Sequence, residues 1–265
     1  MPPHGRAERK FDECWEEVHR EIIARTLTAT NRLAPGDHRI AIAVRQVLPG
    51  MLKTFEARKA LQREVFDVLA RDIGPAPVDL MDLCAGDAPA TLALLITGKI
   101  RTLNIVDNGH SNTFLGMPQK VAQKFKAASQ IRSFNTRITP NTPTTDLPDT
   151  QRTTLIESGL SLPLAARTPT TSTVREVYQQ GPLASRSSHI LNATLTLDDV
   201  LAALGGVPRR QLDIFDTPFH RAPLTPADHR NFIEAAVAGR PEWRIATWEA
   251  TAPGSPTYHA KLVHE

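Results

Sequence analysis

Two short stretches carry residues whose types and spacing could do chemistry: Asp82-Leu83-Cys84-Ala85-Gly86-Asp87 and Asp216-Thr217-Pro218-Phe219. In the first, a short apolar run ends in small residues. Ala85 and Gly86 allow backbone to approach a nucleotide-like ligand closely, as bulkier residues would not. Asp82, at the end of the run, could hold an amino group of that ligand. Asp107 lies 21 residues beyond Gly86, where a carboxylate can accept hydrogen bonds from both hydroxyls of a ribose. The turn lacks the full Gly-x-Gly-x-x-Gly spacing, because Ala88 and Pro89 stand where further glycines belong, which argues against a dinucleotide. The plainer reading of the same residues is an ordinary strand-to-helix turn, with Asp107 capping the segment after it.

The second stretch suits chemistry on an exocyclic amine. Such a reaction needs an acceptor to orient the NH₂ group and an aromatic face on which an extruded ring can stack. Asp216 and Phe219 supply the two, and Pro218 stiffens the chain between them. A type I turn with Phe219 in the core is the alternative.

Both stretches require strands to hold them. Val78 to Leu83 reads as a short buried strand and Ala88 to Ile96 as an Ala/Leu-rich helix, followed by a strand at Arg101 to Val106 and a helix over Ser111 to Ala127. Alternation of this kind marks βαβ units and a parallel sheet. Later elements are a strand at His189 to Ala193, a helix at Leu197 to Leu204, a strand at Gln211 to Phe215, a helix from about Pro226 to Ala238, and strands at Trp243 to Glu249 and Tyr258 to Val263. Upstream, apolar residues at three- and four-residue steps predict amphipathic helices over Phe11 to Leu27 and Phe55 to Ala70; Gly74, Pro75 and Pro77 end the second.

These elements suggest an N-terminal helical region over 1–74, a Rossmann-like α/β core split between 75–130 and 188–265, and a Thr/Pro-rich insertion over 131–187. There are 12 threonines between Thr136 and Thr173, with little sustained periodicity. Residues 117–192 hold nine basic and four acidic side chains, so this part alone carries more positive charge than the formal +3 of the whole chain. Such a segment could track phosphates through Arg132, Arg137, Arg152 and Arg167, or be a surface loop.

The totals bound the function classes. A chain of 265 residues with 41% hydrophobic content can bury a sizeable core. A pI near 9.0 is compatible with a polyanionic partner but too mild to require one. Cys14 and Cys84 have neither metal-ligand spacing nor disulfide density, the nine histidines form no H-x-x-x-H cluster, and no apolar run reaches membrane-spanning length. These features predict an intracellular, cytoplasmic protein with no metal site and no membrane contact.

The motif Asp216-Thr217-Pro218-Phe219 resembles the Asp-Pro-Pro-Tyr motif of the D12-class, Dam-like N6-adenine DNA methyltransferases. The likeness continues in Leu224-Thr225-Pro226-Ala227-Asp228-His229, similar to a segment that follows the motif in that family, and in Cys84-Ala85-Gly86 with the helix after it. Pro49-Gly50-Met51-Leu52-Lys53 resembles the family's N-terminal Gly-Gly-Lys element, and Asn192-Ala193 stands where the family has a pair near the cofactor adenine. Together the similarity spans about Leu48 to Arg230. Thr217 in place of the first proline, Asn192 in place of a carboxylate, and a shortened C-terminal end of the sheet depart from the pattern.

The resemblance implies a Rossmann-like, three-layer αβα fold that binds S-adenosyl-L-methionine (SAM), with the insertion in the place of a target-recognition domain. Lys53, Asp82, Cys84, Ala85, Gly86, Asp107 and Asn192 would hold the cofactor, and Asp216, Pro218 and Phe219 would form the catalytic motif. The implied reaction is methyl transfer to the N6 amine of adenine in a nucleic acid, DNA in preference to RNA. Two rival expectations stand beside it: an inactive member that binds nucleic acid or a partner, and a methyltransferase for RNA or another amine.

Overall fold

The computed structural model describes residues 6–33, 56, 58–83, 85, 88–107, 116–135, 147–150, 152–157, 197–205, 210–216 and 225–265. The described residues form a seven-stranded sheet in the order β3-β2-β1-β4-β5-β7-β6. Its strands are β1 (Val78–Leu83), β2 (Ile100–Asp107), β3 (Ile131–Asn135), β4 (Arg152–Glu157), β5 (Gln211–Asp216), β6 (Trp243–Ala250) and β7 (Tyr258–His264). β1 pairs parallel with β4 and β4 parallel with β5, while β7 runs antiparallel to both β5 and β6. The helices are α1 (Arg6–Leu33), α2 over residues 58–72, α3 (Pro89–Ile96), α4 (Met117–Lys124), α5 (Leu197–Leu204) and α6 (Pro226–Ala238). The α/β class and the mainly parallel sheet agree with the alternation in the sequence. Among the described residues, β7 follows β6 with no helix between them, and the sheet has seven strands.

The structure differs from the sequence reading at residues 131–135 and 152–157, which lie in the stretch read as an insertion and are strands β3 and β4. β4 is central, between β1 and β5. Threonine is β-branched and fits a pleated surface once its hydroxyl has an acceptor. Thr153 and Thr154 are fully buried, and Thr154 Oγ1 donates to the Met81 carbonyl at 3.4 Å and to Asp82 Oδ1 at 3.2 Å. Those acceptors lie more than 70 positions away, so the threonines look like loop in the sequence. The strand expected at 189–193 and residues 158–187 lie outside the described residues.

The chain divides into two compact units. The first (Met1–Val78, Gly86–Leu103 and Ser111–Arg132) gathers α1 to α4. α1 buries Phe11, Cys14, Trp15, Val18 and Ile22, the stripe seen in the sequence, and α3 is buried from Pro89 through Leu95, in keeping with its lack of charge. Phe11 packs on Phe66 with ring centroids 5.2 Å apart, and Arg63 lies over the Phe11 ring while pairing with Asp12 at 2.8 Å. Glu21 pairs with Lys120 at 2.7 Å and with Arg25 at 2.7 Å, and Glu17 pairs with Lys124, which ties α1 to α4.

The hydrogen bond from Lys124 holds the Glu17 carboxyl below its ordinary 4.5; burial raises the Glu21 carboxyl, but hydrogen bonds from Arg25 and Lys120 outweigh that and lower it overall. A carboxyl depressed in the folded state stabilises the fold above its unfolded pKa and loses that contribution as pH falls through the lower, folded value. Thermal melts are therefore expected to show stability falling as pH drops below about 4.5. In a Lys120→Ala/Lys124→Ala variant that decline should be shallower.

The second unit (Asp79–Ala85, Asn104–His110 and Ser133–Glu265) holds a core of Met81, Leu83, Val106, Leu212, Ile214, Ala260 and Leu262 from the sheet, packed against Val200, Leu201 and Leu204 of α5 and Ile233 of α6. No helix among the described residues is long and apolar enough to cross a membrane.

Candidate functional site

Order and register together place the chemically able residues on one edge of the sheet. β1 and β4 are neighbours in space but not in sequence, and on either side of them the strand order runs outward in opposite senses, to β2 and β3 and to β5. In an open α/β sheet, ligands sit beyond the carboxyl ends of the strands at such a switch point. β2 lies beside β1 in the sheet, Asn104 Nδ2 of β2 donates to the Leu80 carbonyl of β1 at 3.3 Å, and Asp107 is the last residue of β2. Leu83 pairs with Leu155, and β4 continues to Glu157, which pairs with Asp216, the last residue of β5. Asp216 in turn pairs with Tyr258, the first residue of antiparallel β7. Glu157, Asp216 and Tyr258 thus stand at three adjacent strand ends on one side of the switch point, and Asp107 ends β2 on its other side, beyond β1.

Asp107 and Asp216 therefore end their strands as expected. Glu157 is not singled out by the sequence reading because β4 falls within the stretch read as an insertion; the run Thr153-Thr154-Leu155-Ile156 before it, β-branched at three of four positions, is the available signal. Its strand touches β1, whereas that of Asp216 is one strand, about 4.8 Å, farther from the switch point. Asp82, near the end of β1, has no exposure, and Thr154 donates to it. A buried carboxylate needs such donors, and from this position it braces the end of β1. Ala85 is half-buried. Lys53, Cys84, Gly86, Asn192, Thr217, Pro218 and Phe219 lie outside the described residues.

Ala88, which stands where a dinucleotide-binding turn would have a glycine, has φ 48° and ψ 40°, the left-handed conformation that glycine adopts without penalty, and caps α3 with Pro89 at its first position. For alanine this costs about 1–2 kcal/mol. Ala88→Gly would relieve it but lose a buried methyl worth about 0.8 kcal/mol, so little net change in the denaturant midpoint is expected. Ala88→Val, β-branched and buried, should cost about 2–3 kcal/mol by the same measurement.

One residue inward from the edge, a buried polar network crosses β4, β5 and β7. Asp213, with no exposure, accepts from Gln211 Nε2 at 2.9 Å, pairs with Arg152 Nε at 3.1 Å, and meets His259 Nε2 at 2.9 Å. The His259 ring stacks on Phe215 with centroids 4.5 Å apart and planes 11° from parallel. None of these was visible as a site, because their partners lie on three different strands. Among the described residues, no group of three or more His, Cys, Asp or Glu side chains could hold a metal ion.

No family model and no curated protein matches the chain. Among solved structures, it is similar to magnesium protoporphyrin IX methyltransferase from Synechocystis PCC 6803 with bound SAM, at 13% identity and a TM-score of 0.49, over 80% of this chain and 84% of that one. It is similar also to the B. subtilis M1A22 tRNA methyltransferase TrmK, at 10% identity and a TM-score of 0.41, over 75% and 64% of the two chains. A third is a ribosomal protein L11 methylase from Lactobacillus delbrueckii subsp. bulgaricus, at 10% identity and a TM-score of 0.42, over 76% of each chain. Scores below 0.5 at such identities do not by themselves assign a family.

Proposed function

We propose that the protein is a cytoplasmic SAM-dependent methyltransferase that methylates an exocyclic amine, the N6 of adenine in DNA being the acceptor that the motif at Asp216 favours. The reading rests on one observation: carboxylate residues end β2, β4 and β5, the strands around the switch point, and the small residues Ala85 and Gly86 follow β1 in the sequence. A nucleoside-bearing cofactor fits this donor set, because a carboxylate at the end of β2 suits ribose hydroxyls and small residues admit close backbone approach. Asp107 would take the ribose, Ala85 and Gly86 would line the approach with Cys84, and Lys53 and Asn192 would complete the pocket. Asp82 would act by bracing the turn. SAM, when bound, supplies an electrophilic methyl group.

The chain's own part is to position an amine and take up its charge. Asp216 would accept a hydrogen bond from the NH₂ group and turn its lone pair outward, with Pro218 setting the turn and Phe219 stacking on the ring. Glu157, one strand nearer the switch point, would be a second acceptor and a place for the proton released.

Transfer of labelled methyl from SAM to duplex DNA, run beside RNA, tests the reading. Label in adenine supports it; label in RNA alone moves the substrate to RNA. SAM binding in a calorimeter with no transfer to either would favour a binding module on the same fold, and absent SAM binding would remove the methyltransferase reading.

A further inference from the structure

At the opposite, amino-terminal edge of the same unit, three side chains with nitrogen donors form a row. Gln211 pairs with Val263 across β5 and β7, so Arg210, one residue before β5, stands opposite His264; the His264 amide donates to the Arg210 carbonyl at 2.9 Å. His264 pairs with Trp243 across β7 and β6, their rings 5.1 Å apart and nearly perpendicular. Cross-strand neighbours of this kind have Cβ atoms about 5 Å apart.

Arg210 is 1% exposed and Trp243 2% exposed. Among the described residues, none of the three guanidinium nitrogens of Arg210, the indole Nε1 of Trp243 or the two ring nitrogens of His264 has a hydrogen-bond partner, although all are buried. Exposed Asp149 attracts Arg210 without forming an ion pair, and burial pulls the guanidinium pKa down. Buried donors are nearly always satisfied, and a buried cation lacking a counter-charge is among the costliest arrangements in a folded chain. A cation, an indole N–H and an imidazole in one row want an acceptor that carries negative charge on several oxygens. The planar guanidinium fork suits two oxygens of one such group.

We propose that Arg210, Trp243 and His264 form a binding site for a small oxyanion of the phosphate class, at the sheet edge opposite the carboxyl-edge residues and independent of them. The guanidinium supplies the charge and a paired contact, and the indole N–H and imidazole supply contacts from the β6–β7 side. The site stabilises the amino-terminal corner of β5, β6 and β7.

Melting of the full chain in phosphate, compared with sodium chloride at equal ionic strength, tests this. Phosphate about tenfold above its dissociation constant should raise the melting temperature by about 3 °C. Arg210→Met should melt at the same temperature in both salts. Trp243→Phe, which keeps the ring and removes the donor, should keep the fold and lose part of the shift. In parallel, the Arg210 Nε–H signal in a ¹⁵N spectrum should move as phosphate is added. Equal melting of the native chain in the two salts would overturn the proposal, as would a phosphate shift that persists in Arg210→Met. A melting temperature that falls in Asp149→Asn, with no phosphate effect in the native chain, would instead identify Asp149 as the partner of Arg210.

Discussion

Replacement of Asp213 by alanine is expected to destabilise the protein by about 3–5 kcal/mol, because it leaves the buried Arg152 guanidinium without its counter-charge. Asp213 accepts from or pairs with groups on three side chains, of which Gln211 is half-buried while Arg152 is 8% exposed and His259 2% exposed, so the last two have little water to turn to. The loss should appear as a fall of roughly 10 °C or more in melting temperature for a chain of this size. Arg152→Met alone should also destabilise, by taking the guanidinium charge from a buried carboxylate that keeps only its Gln211 and His259 contacts. The double variant Arg152→Met/Asp213→Leu is the informative one. An ion pair replaced as a whole by apolar groups is often neutral, so the double variant should recover most of what either single change loses. Denaturant midpoints of the four proteins give the coupling directly, and strict additivity of the two losses would show that the pair does not act as a unit.

The second large effect concerns the carboxyl edge and distinguishes its two acids. Under the methyltransferase reading, Asp216→Asn should lower single-turnover methyl transfer by a factor on the order of 100 or more, the usual scale for a positioned acid–base group, while SAM affinity stays within about twofold. Glu157→Gln should have an effect of the same order if β4, the strand beside the switch point, presents the acceptor. If only one change reduces transfer, that strand end faces the reacting amine; if neither does, the carboxyl edge does not carry the chemistry. Asp107→Ala is the contrasting case: it should weaken SAM binding by roughly 10-fold or more, as loss of hydrogen bonds to a ribose would, with transfer at saturating SAM little changed.

Some of this was legible in the chain itself. Periodicity and punctuation placed β1, β2, β5, β6 and β7 and the helices α1, α3, α5 and α6 within a few residues of their observed positions, apart from α1, which is longer at both ends. These elements carry their signal locally: an apolar run such as Val78 to Leu83 needs no distant partner to read as a buried strand, and Pro89 marks the start of α3 wherever that helix packs. Asp107 and Asp216 were found for the same reason, because they end strands that declare themselves.

Tertiary structure alone decided the rest. Thr154 becomes central strand only when β1, some 70 residues earlier, lies beside it and Asp82 accepts its hydroxyl, and Glu157 comes to stand beside Asp216 only through register with β5, some 60 residues later. The pairing of β4 with β1 gives the buried Asp82 carboxylate a donor in Thr154, which the sequence could not show. The Arg152–Asp213–His259 network and the Arg210–His264–Trp243 row likewise exist only across strands. A sequence records which groups a chain owns, whereas hydrogen bonds and charges inside a sheet are set by what stands about 5 Å away on the next strand.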